Sequence, residues 1–484
     1  MKRRFFALAL ALLLAVSLPV SALAATWYLE NGDITIRATE DGQYVSQGET
    51  NVRDDDPTIT QKDSNQATGN TVDIVSESNA TAKVTLDGVN ISSGGDAIDV
   101  GSSSADITLK GKNKLFSESK SKSALHVSSG NVTIDGDGTL EAGNGVENAY
   151  SEGAKIGSHE DEDMSGSIHI TGDATVTAKR DSGRGDGAGI GSGNGGEMSG
   201  SITIDGNANV DAIGSYDGAG IGAGDGGKMS GNITIGGNAQ VTAASECNGA
   251  GIGSGDSGDM TGNITIGDNA RVTAWGDDEG AGIGSGGEGA VSGTITVGGN
   301  AQVTAGSGED GAGIGAGEDG SIAGSGKIII RDSAKVTAIG EDEGAGIGTG
   351  EDKKMEGTII IQDNAQVTAI AGDSAAAIGS DDRNEMTGTI FIIGNARVTT
   401  GILDDDDVHF NHNTKEIEYT LDTNAIGRIG DGQGANHASS SGHYVIGPDV
   451  TINGISGSNI EALKQYVNMR LSGENHDGEP ENLT

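Results

Sequence analysis

The sequence predicts an all-β fold, a parallel β-helix, and three observations carry that expectation. A spelling of about 31 residues returns along most of the 484-residue chain. Gly218-Ala219-Gly220-Ile221-Gly222 is followed by Met229-Ser230-Gly231-Asn232-Ile233-Thr234-Ile235 and then by Asn238-Ala239-Gln240-Val241-Thr242-Ala243, and nearly the same letters return from Gly249 and from Gly280. Fixed-period self-similarity describes a stack of like units rather than a globule with one buried centre. Within each unit, apolar and polar residues alternate in short runs, the period of a strand. The 85 glycines, beside only 4 prolines and 3% aromatics, would suggest disorder if scattered. They recur at fixed places beside β-branched pairs instead, so they read as corners of an ordered coil.

Along the chain, residues 1–24 have the pattern of a secretory signal. Lys2, Arg3 and Arg4 form the charged start, Phe5 to Leu18 the apolar run, and Ala22-Leu23-Ala24 the small-residue cleavage site. The run is short for a span of about 20 residues and ends at Pro19. The mature protein is therefore expected to be extracellular or at the cell surface, with no membrane span. Residues 25–82 carry strand-like pieces at Ile34-Thr35-Ile36, Thr58-Ile59-Thr60 and Val72-Asp73-Ile74-Val75, expected to form less regular N-terminal capping coils.

Residues 83–400 hold the repeats. In one unit, Ile202-Thr203-Ile204 is a first strand, Asp205-Gly206-Asn207 a turn, Val210-Asp211-Ala212 a second strand, and Ala219-Gly220-Ile221 a very short third. Alternation points Ile202, Ile204, Val210 and Ile221 inward and Thr203 and Asp211 outward. The first strand can be followed from Val84 through Ile107, Val132, Ile168, Ile202, Ile233, Ile264, Ile295, Ile328 and Ile359 to Ile390. That makes about eleven main coils of three short strands, a rod of roughly 50 Å at about 4.8 Å per coil. Residues 401–473 should form a C-terminal cap. Tyr444-Val445-Ile446 and Val450-Thr451-Ile452 suggest more strand, and Ser458-Asn459-Ile460-Glu461 has capping-box spacing. Ile460, Leu463, Val467 and Leu471 line one face of a short helix that Gly473 stops. The outward column Thr203, Thr234, Thr265 and Thr296 turns apolar at Ile329, Ile360 and Phe391. The C-terminal segment is expected to fold back over that patch; an open binding face is the alternative. The tail 474–484 reads as disordered.

The formal charge is −42, which repels nucleic acid and anionic membranes and favours cations or partners bridged by cations. The single cysteine, Cys247, excludes an internal disulfide framework. Nothing points to an oligomer, and a monomer is expected.

Stacking turns equivalent residues into files. Asn207, Asn238, Asn269, Asn300, Asn364 and Asn395, with Ser333 as the exception, suggest an amide ladder along the axis. The outward threonines Thr177, Thr242, Thr273, Thr304, Thr337, Thr368 and Thr399, broken by Asp211, resemble an ice-binding face, but β-propensity explains them. The acidic loops before each Gly-Ala-Gly-Ile-Gly carry the clearest chemistry: Arg184-Gly185-Asp186, Asp217, Asp277-Asp278-Glu279, Glu309-Asp310 and Glu341-Asp342-Glu343. Aligned into a stripe, these carboxylates repel one another, and Ca²⁺, which takes six to eight oxygen ligands, can relieve the repulsion. A solvated acidic edge is the plain alternative. Tyr216 and Trp275 lie in equivalent loops two coils apart, and alternation puts Trp275 outside, where an aromatic face can stack on a sugar ring. His409 and His412, beside Asp404 to Asp407, read as a solvated loop before a metal site. Asp381-Asp382-Arg383 invites comparison with a paired-carboxylate glycosidase but sits in the acidic series. β-helix polysaccharide lyases and hydrolases need clustered acids with a Lys, Arg or His partner; catalysis is poorly supported on that ground, so an enzyme is not expected.

The spelling Val84-Thr85-Leu86-Asp87-Gly88-Val89-Asn90-Ile91, with Gly95-Asp96-Ala97-Ile98 after it, resembles exported bacterial carbohydrate-binding domain-containing proteins. The Gly-Ala-Gly-Ile-Gly arrays are also similar to those of large bacterial surface proteins. The resemblance covers most of residues 25 to 400. It implies a right-handed parallel β-helix like that of pectate lyases and binding of acidic polysaccharide with calcium. The expectation is thus an exported, non-catalytic β-helix that binds carbohydrate or a cell-envelope polymer, assisted by Ca²⁺. A β-helix polysaccharide lyase or hydrolase and a structural or adhesin stalk are the alternatives.

Overall fold

A computed structural model describes residues 24–144, 150–179, 185–351, 353–372, 374–381, 386–422, 425, 427–431 and 442–467. Residues 1–23 of the expected signal sequence, Arg184, Asp382, Arg383, Leu471, Gly473 and the 474–484 tail lie outside the described residues.

The three strands of each unit become three mainly parallel sheets, of fourteen, fourteen and fifteen strands among the described residues with their antiparallel caps included, that wind in step around one core. Equivalent residues are direct vertical neighbours: Ile233 pairs with both Ile202 and Ile264, Val241 with Val210 and Val272, and Ile252 with Ile221 and Ile283. The alternation holds, since Ile202, Ile204, Val210 and Ile221 are buried while Thr203 and Asp211 are half-exposed. The first sheet extends the eleven sequence-derived strands by Thr26–Tyr28 and Thr58–Thr60 at one end and His443–Ile446 at the other. A column of Met164, Met198, Met229, Met260, Val291, Ile322 and Met355, all fully buried, fills the corner before the first sheet. The flexible thioether fits that irregular corner.

The third strand has only two residues because its glycine turns the chain. Gly222 has φ +143°, and a Cβ there would lie 1.7 Å from the Gly253 carbonyl oxygen of the next coil. Only glycine reaches this conformation and permits this approach. The amide ladder forms as expected, with Asn238 Nδ2 donating to Asn207 Oδ1 (3.0 Å), Asn269 to Asn238 (3.2 Å) and Asn300 to Asn269 (3.2 Å).

Each end of the solenoid is covered. Before the first coils, Ile34–Thr39 pairs antiparallel with Gly42–Gln47, which pairs antiparallel with Thr50–Arg53, closing one sheet edge. At the far end, the helix is a single turn, Ile460–Leu463. Its N-cap is Asn459, one residue later than the capping-box reading, and Asn459 accepts from the Ala462 N–H. Leu463 and Val467 are buried in the end of the core, and the Ile429 N–H donates to the Tyr466 carbonyl at 2.7 Å.

The chain does fold back near its C-terminus, but over a different column from the one expected. The strand Arg397–Asn411 continues out of the second sheet and pairs antiparallel with Glu416–Leu421. Leu403, Val408, Phe410 and Ile417 of this hairpin cover the outward residues Ala244, Trp275, Ile339 and Ile370 of the second sheet. The hairpin is continuous with that sheet, so this is the apolar face within its reach. Ile360, in the column expected to be covered, is buried between its register neighbours Ile329 and Phe391. Among the described residues no helix is long and apolar enough to cross a membrane.

Candidate functional site

The acidic loops align into a seam with two columns of carboxylates. Glu152, Asp186, Asp217, Glu279 and Asp310 stand two residues before the alanine of each third strand, with Asn248 in the same column. The facing column, which sequence reasoning missed, stands four residues after the isoleucine: Asp225, Asp256, Glu318 and Glu351, with Asn194 and Gly287 interrupting. Backbone bonds lock the columns together. The N–H of Asp225 donates to the Asp186 carbonyl (2.8 Å), that of Asp256 to Asp217 (2.9 Å), and that of Glu318 to Glu279 (2.8 Å). The recurring acid after Gly-Ile-Gly-x-Gly was a legible signal. What could not be read was that the loop brings it opposite the first column.

Half-buried acids so close together resist ionisation. Burial, then the charges of Glu152 and Asp225, push Asp186 up to about 6. Burial with Asp186 and Asp256 raises Asp217 to about 6, and burial with Asp256 and Asp217 does the same to Asp225. Burial with Glu318 and Asp256 raises Glu279 to about 7. Among the described residues, Asp217 Oδ1 is shut off from solvent and has no hydrogen-bond donor. A Cβ on Gly287 would lie 2.7 Å from Glu279 Oε2 and 2.8 Å from Asp256 Oδ1, so two carboxylates converge on a place that no side chain fills. One oxygen each of Asp310, Glu318 and Glu351 also lie within 4.8 Å of one another. Hard carboxylate oxygens at such separations suit Ca²⁺.

Of the other expected ligands, Glu343 continues the first column two residues before Ala345, and the charge of Asp278 bears on Asp217 and Glu279. Glu309 and Asp342 are exposed, Glu341 is buried and Glu343 half-buried. Asp277 accepts from Trp275 Nε1 at 3.2 Å. Asp278 accepts from Cys247 Sγ at 3.1 Å, and burial together with Asp278 pushes this thiol up to about 12. Cys247 is buried.

Trp275 requires a correction. It points out of the coil, as alternation demands, yet it is only 3% exposed. The hairpin covers it, with Phe410 stacked at 6.3 Å between ring centroids and Ile417 over the neighbouring Gly306. Its ring fills the space that a side chain on Gly306 would occupy, so Trp275 is core and presents no face to a sugar. Tyr216 is half-buried in its own loop, where its carbonyl accepts from Ser245 Oγ at 3.1 Å. His409 lies 3.5 Å from Glu418 across the hairpin, and His412 meets Phe410 edge-on.

Two further features were not legible. Beside the hairpin, the outward face of the second sheet forms a groove of about 800 Å³. Gln240, Arg271, Gln302, Lys335, Gln366 and Arg397 stack there in register, next to the threonine column. Lys415 closes one side by pairing with Asp211 at 3.0 Å. In the early coils, His126 and His159 stack with ring centroids 3.6 Å apart, between Asp96, Asp99 and Glu162. Burial opposes charge on His126, but the hydrogen bond to Asp99 and the charge of Glu162 outweigh it and hold the imidazole above its ordinary value. That hydrogen bond from His126 holds Asp99 below the usual carboxylate range.

A family model described as a beta helix repeat matches residues 168–194, 202–225, 233–256 and 328–351, the regular coils that carry most of the seam. No curated protein and no solved structure matches this chain.

Proposed function

We propose that this protein is exported and non-catalytic, and that it binds carbohydrate or a cell-envelope polymer at the cell surface with Ca²⁺ held between the carboxylates of the seam. The observation that carries this reading is the two-column seam itself. Asp186, Asp217, Asp225 and Glu279 are all pushed well above the usual carboxylate range, in loops where a side-chain oxygen of Asp217 has no donor. A divalent cation removes the mutual repulsion that protons otherwise remove, and its remaining coordination positions can take the carboxylates or hydroxyls of an acidic glycan. Calorimetry and thermal unfolding at pH 7.5 with Ca²⁺ and with polygalacturonate test this. Binding of the ion, a higher unfolding temperature and chelator-sensitive retention of the glycan are expected. No heat and no stabilisation with either would remove the proposal, and release of unsaturated or reducing sugar ends would overturn its non-catalytic part.

The groove of the second sheet favours a second reading, in which an anionic glycan lies along the axis without calcium. Its cations recur every second coil, about 10 Å apart, and its glutamines and threonines offer hydrogen bonds to hydroxyls. Binding that survives chelator but falls with salt and in the Arg271→Gln, Lys335→Gln double variant would identify this surface.

A further inference from the structure

We infer that Asp96, His126 and His159, with Asp99 beside His126 Nδ1, form a binding site for a first-row transition metal ion of the Zn²⁺ class, made of residues outside the acidic seam. The inference rests on how the imidazole nitrogens are partnered. Glu162 Oε2 lies 2.9 Å from His126 Nε2 and 3.1 Å from His159 Nδ1, so one carboxylate oxygen faces one nitrogen of each ring. In metal sites a carboxylate behind the imidazole fixes the tautomer and the ring orientation, leaving the other nitrogen for the ion. The nitrogens left over, His126 Nδ1 and His159 Nε2, face Asp99 Oδ1 at 2.7 Å and Asp96 Oδ1 at 2.8 Å.

The stacked rings, 16° from parallel, hold these groups together: one donor atom each of Asp96, His126 and His159 lie within 4.8 Å of one another. Two imidazole nitrogens with a carboxylate are a donor set for Zn²⁺, Ni²⁺ or Cu²⁺, whereas Ca²⁺ prefers oxygen alone. Without an ion, the carboxylates hold the rings through hydrogen bonds; with one, they become ligands and the protons between them leave. Lys122 Nζ, 3.1 Å from His159 Nδ1, competes with Glu162 for that nitrogen. Metal on Nε2 selects the ring form whose Nδ1–H donates to Glu162. A cavity of about 340 Å³, lined by Asp33, Thr71, Asp73, Asp96 and Asp99, reaches the aspartates of the cluster from solvent.

The test uses the full mature chain, stripped of metal by chelator and then supplied with millimolar Ca²⁺ to occupy the seam. Titration with Zn²⁺ should show one tight equivalent that Ca²⁺ does not displace, and Co²⁺ should show d–d absorption from a nitrogen-containing ligand set. The His126→Gln, His159→Gln double variant should lose both signals, and Asp217→Asn should keep them. Circular dichroism establishes that each variant is folded. If the double variant does not fold, Glu162→Gln decides, with an expected loss of about tenfold to a hundredfold in affinity. Absence of a Ca²⁺-resistant Zn²⁺ equivalent, or binding unchanged in folded variants, would overturn the assignment.

Discussion

The early coils and the regular coils treat one outward position of the third sheet in opposite ways. In register down that column stand Thr35, Asp73, Asp99 and His126, and then Gly157, Gly191, Gly222 and glycine onward to Gly430. From Gly157 the glycines adopt strongly positive φ, and as far as Gly379 the next coil's carbonyl oxygen takes the place a side chain would need. Where coils are most alike, the backbone closes the column to side chains and chemistry moves to the flanking loops. Where the spelling departs from the repeat, the column carries a carboxylate or an imidazole and can assemble a site across coils. Regular stacking stabilises this rod, and irregularity gives it local chemistry.

The sharpest test of the glycine side is Gly253→Ala. A Cβ there would lie 1.8 Å from the Gly284 carbonyl oxygen at φ +146°, so overpacking and backbone strain together should cost about 4 kcal/mol. Gly267→Ala, where nothing lies within 4 Å, should change stability by less than about 0.5 kcal/mol. Equal unfolding temperatures for the two would break the comparison.

Next comes Trp275→Ala, which empties the cluster beneath the hairpin and should cost about 3 kcal/mol. Limited proteolysis should then cut first within residues 403–421, while the coils stay intact.

The seam should respond more gently, through pH. Its folded-state values of about 6 to 7 lie above the ordinary 3.8 and 4.5, so the native state holds more protons across that window. Stability must therefore fall as pH rises from about 4 to 7, the reverse of a salt-bridged carboxylate. Solvent screening limits the effect to a lowering of the melting temperature by about 2 °C, recovered by Ca²⁺ at pH 7.5. Asp217→Asn should raise stability at pH 7.5 and shrink the calcium gain; a melting temperature that instead rises with pH would contradict the electrostatics of the seam. Apart from the Gly267→Ala control, the smallest effect is expected from Lys415→Ala, which removes a partly exposed ion pair worth under about 1 kcal/mol and should matter less in high salt.

Half of the seam was legible because Asp186, Asp217, Glu279 and Asp310 recur at fixed offsets before the alanine of each coil. The opposing Asp225, Asp256, Glu318 and Glu351 recur just as regularly, but their juxtaposition depends on how the intervening strand and turn fold back. Asp96, Asp99, His126, His159 and Glu162 carry no common spacing, since the early coils differ in length. Trp275 shows the limit from the other side: alternation placed it outside the coil, and only a distant hairpin made outside into buried.

What the amino-acid order determined by itself was the coil, because strand alternation, glycine conformation and β-branching act over a few residues and repeat with them. Tertiary structure decided which loops face one another, which outward column the hairpin covers and where imidazoles meet carboxylates. Those outcomes turn on contacts between residues a coil or more apart, and no local preference encodes them.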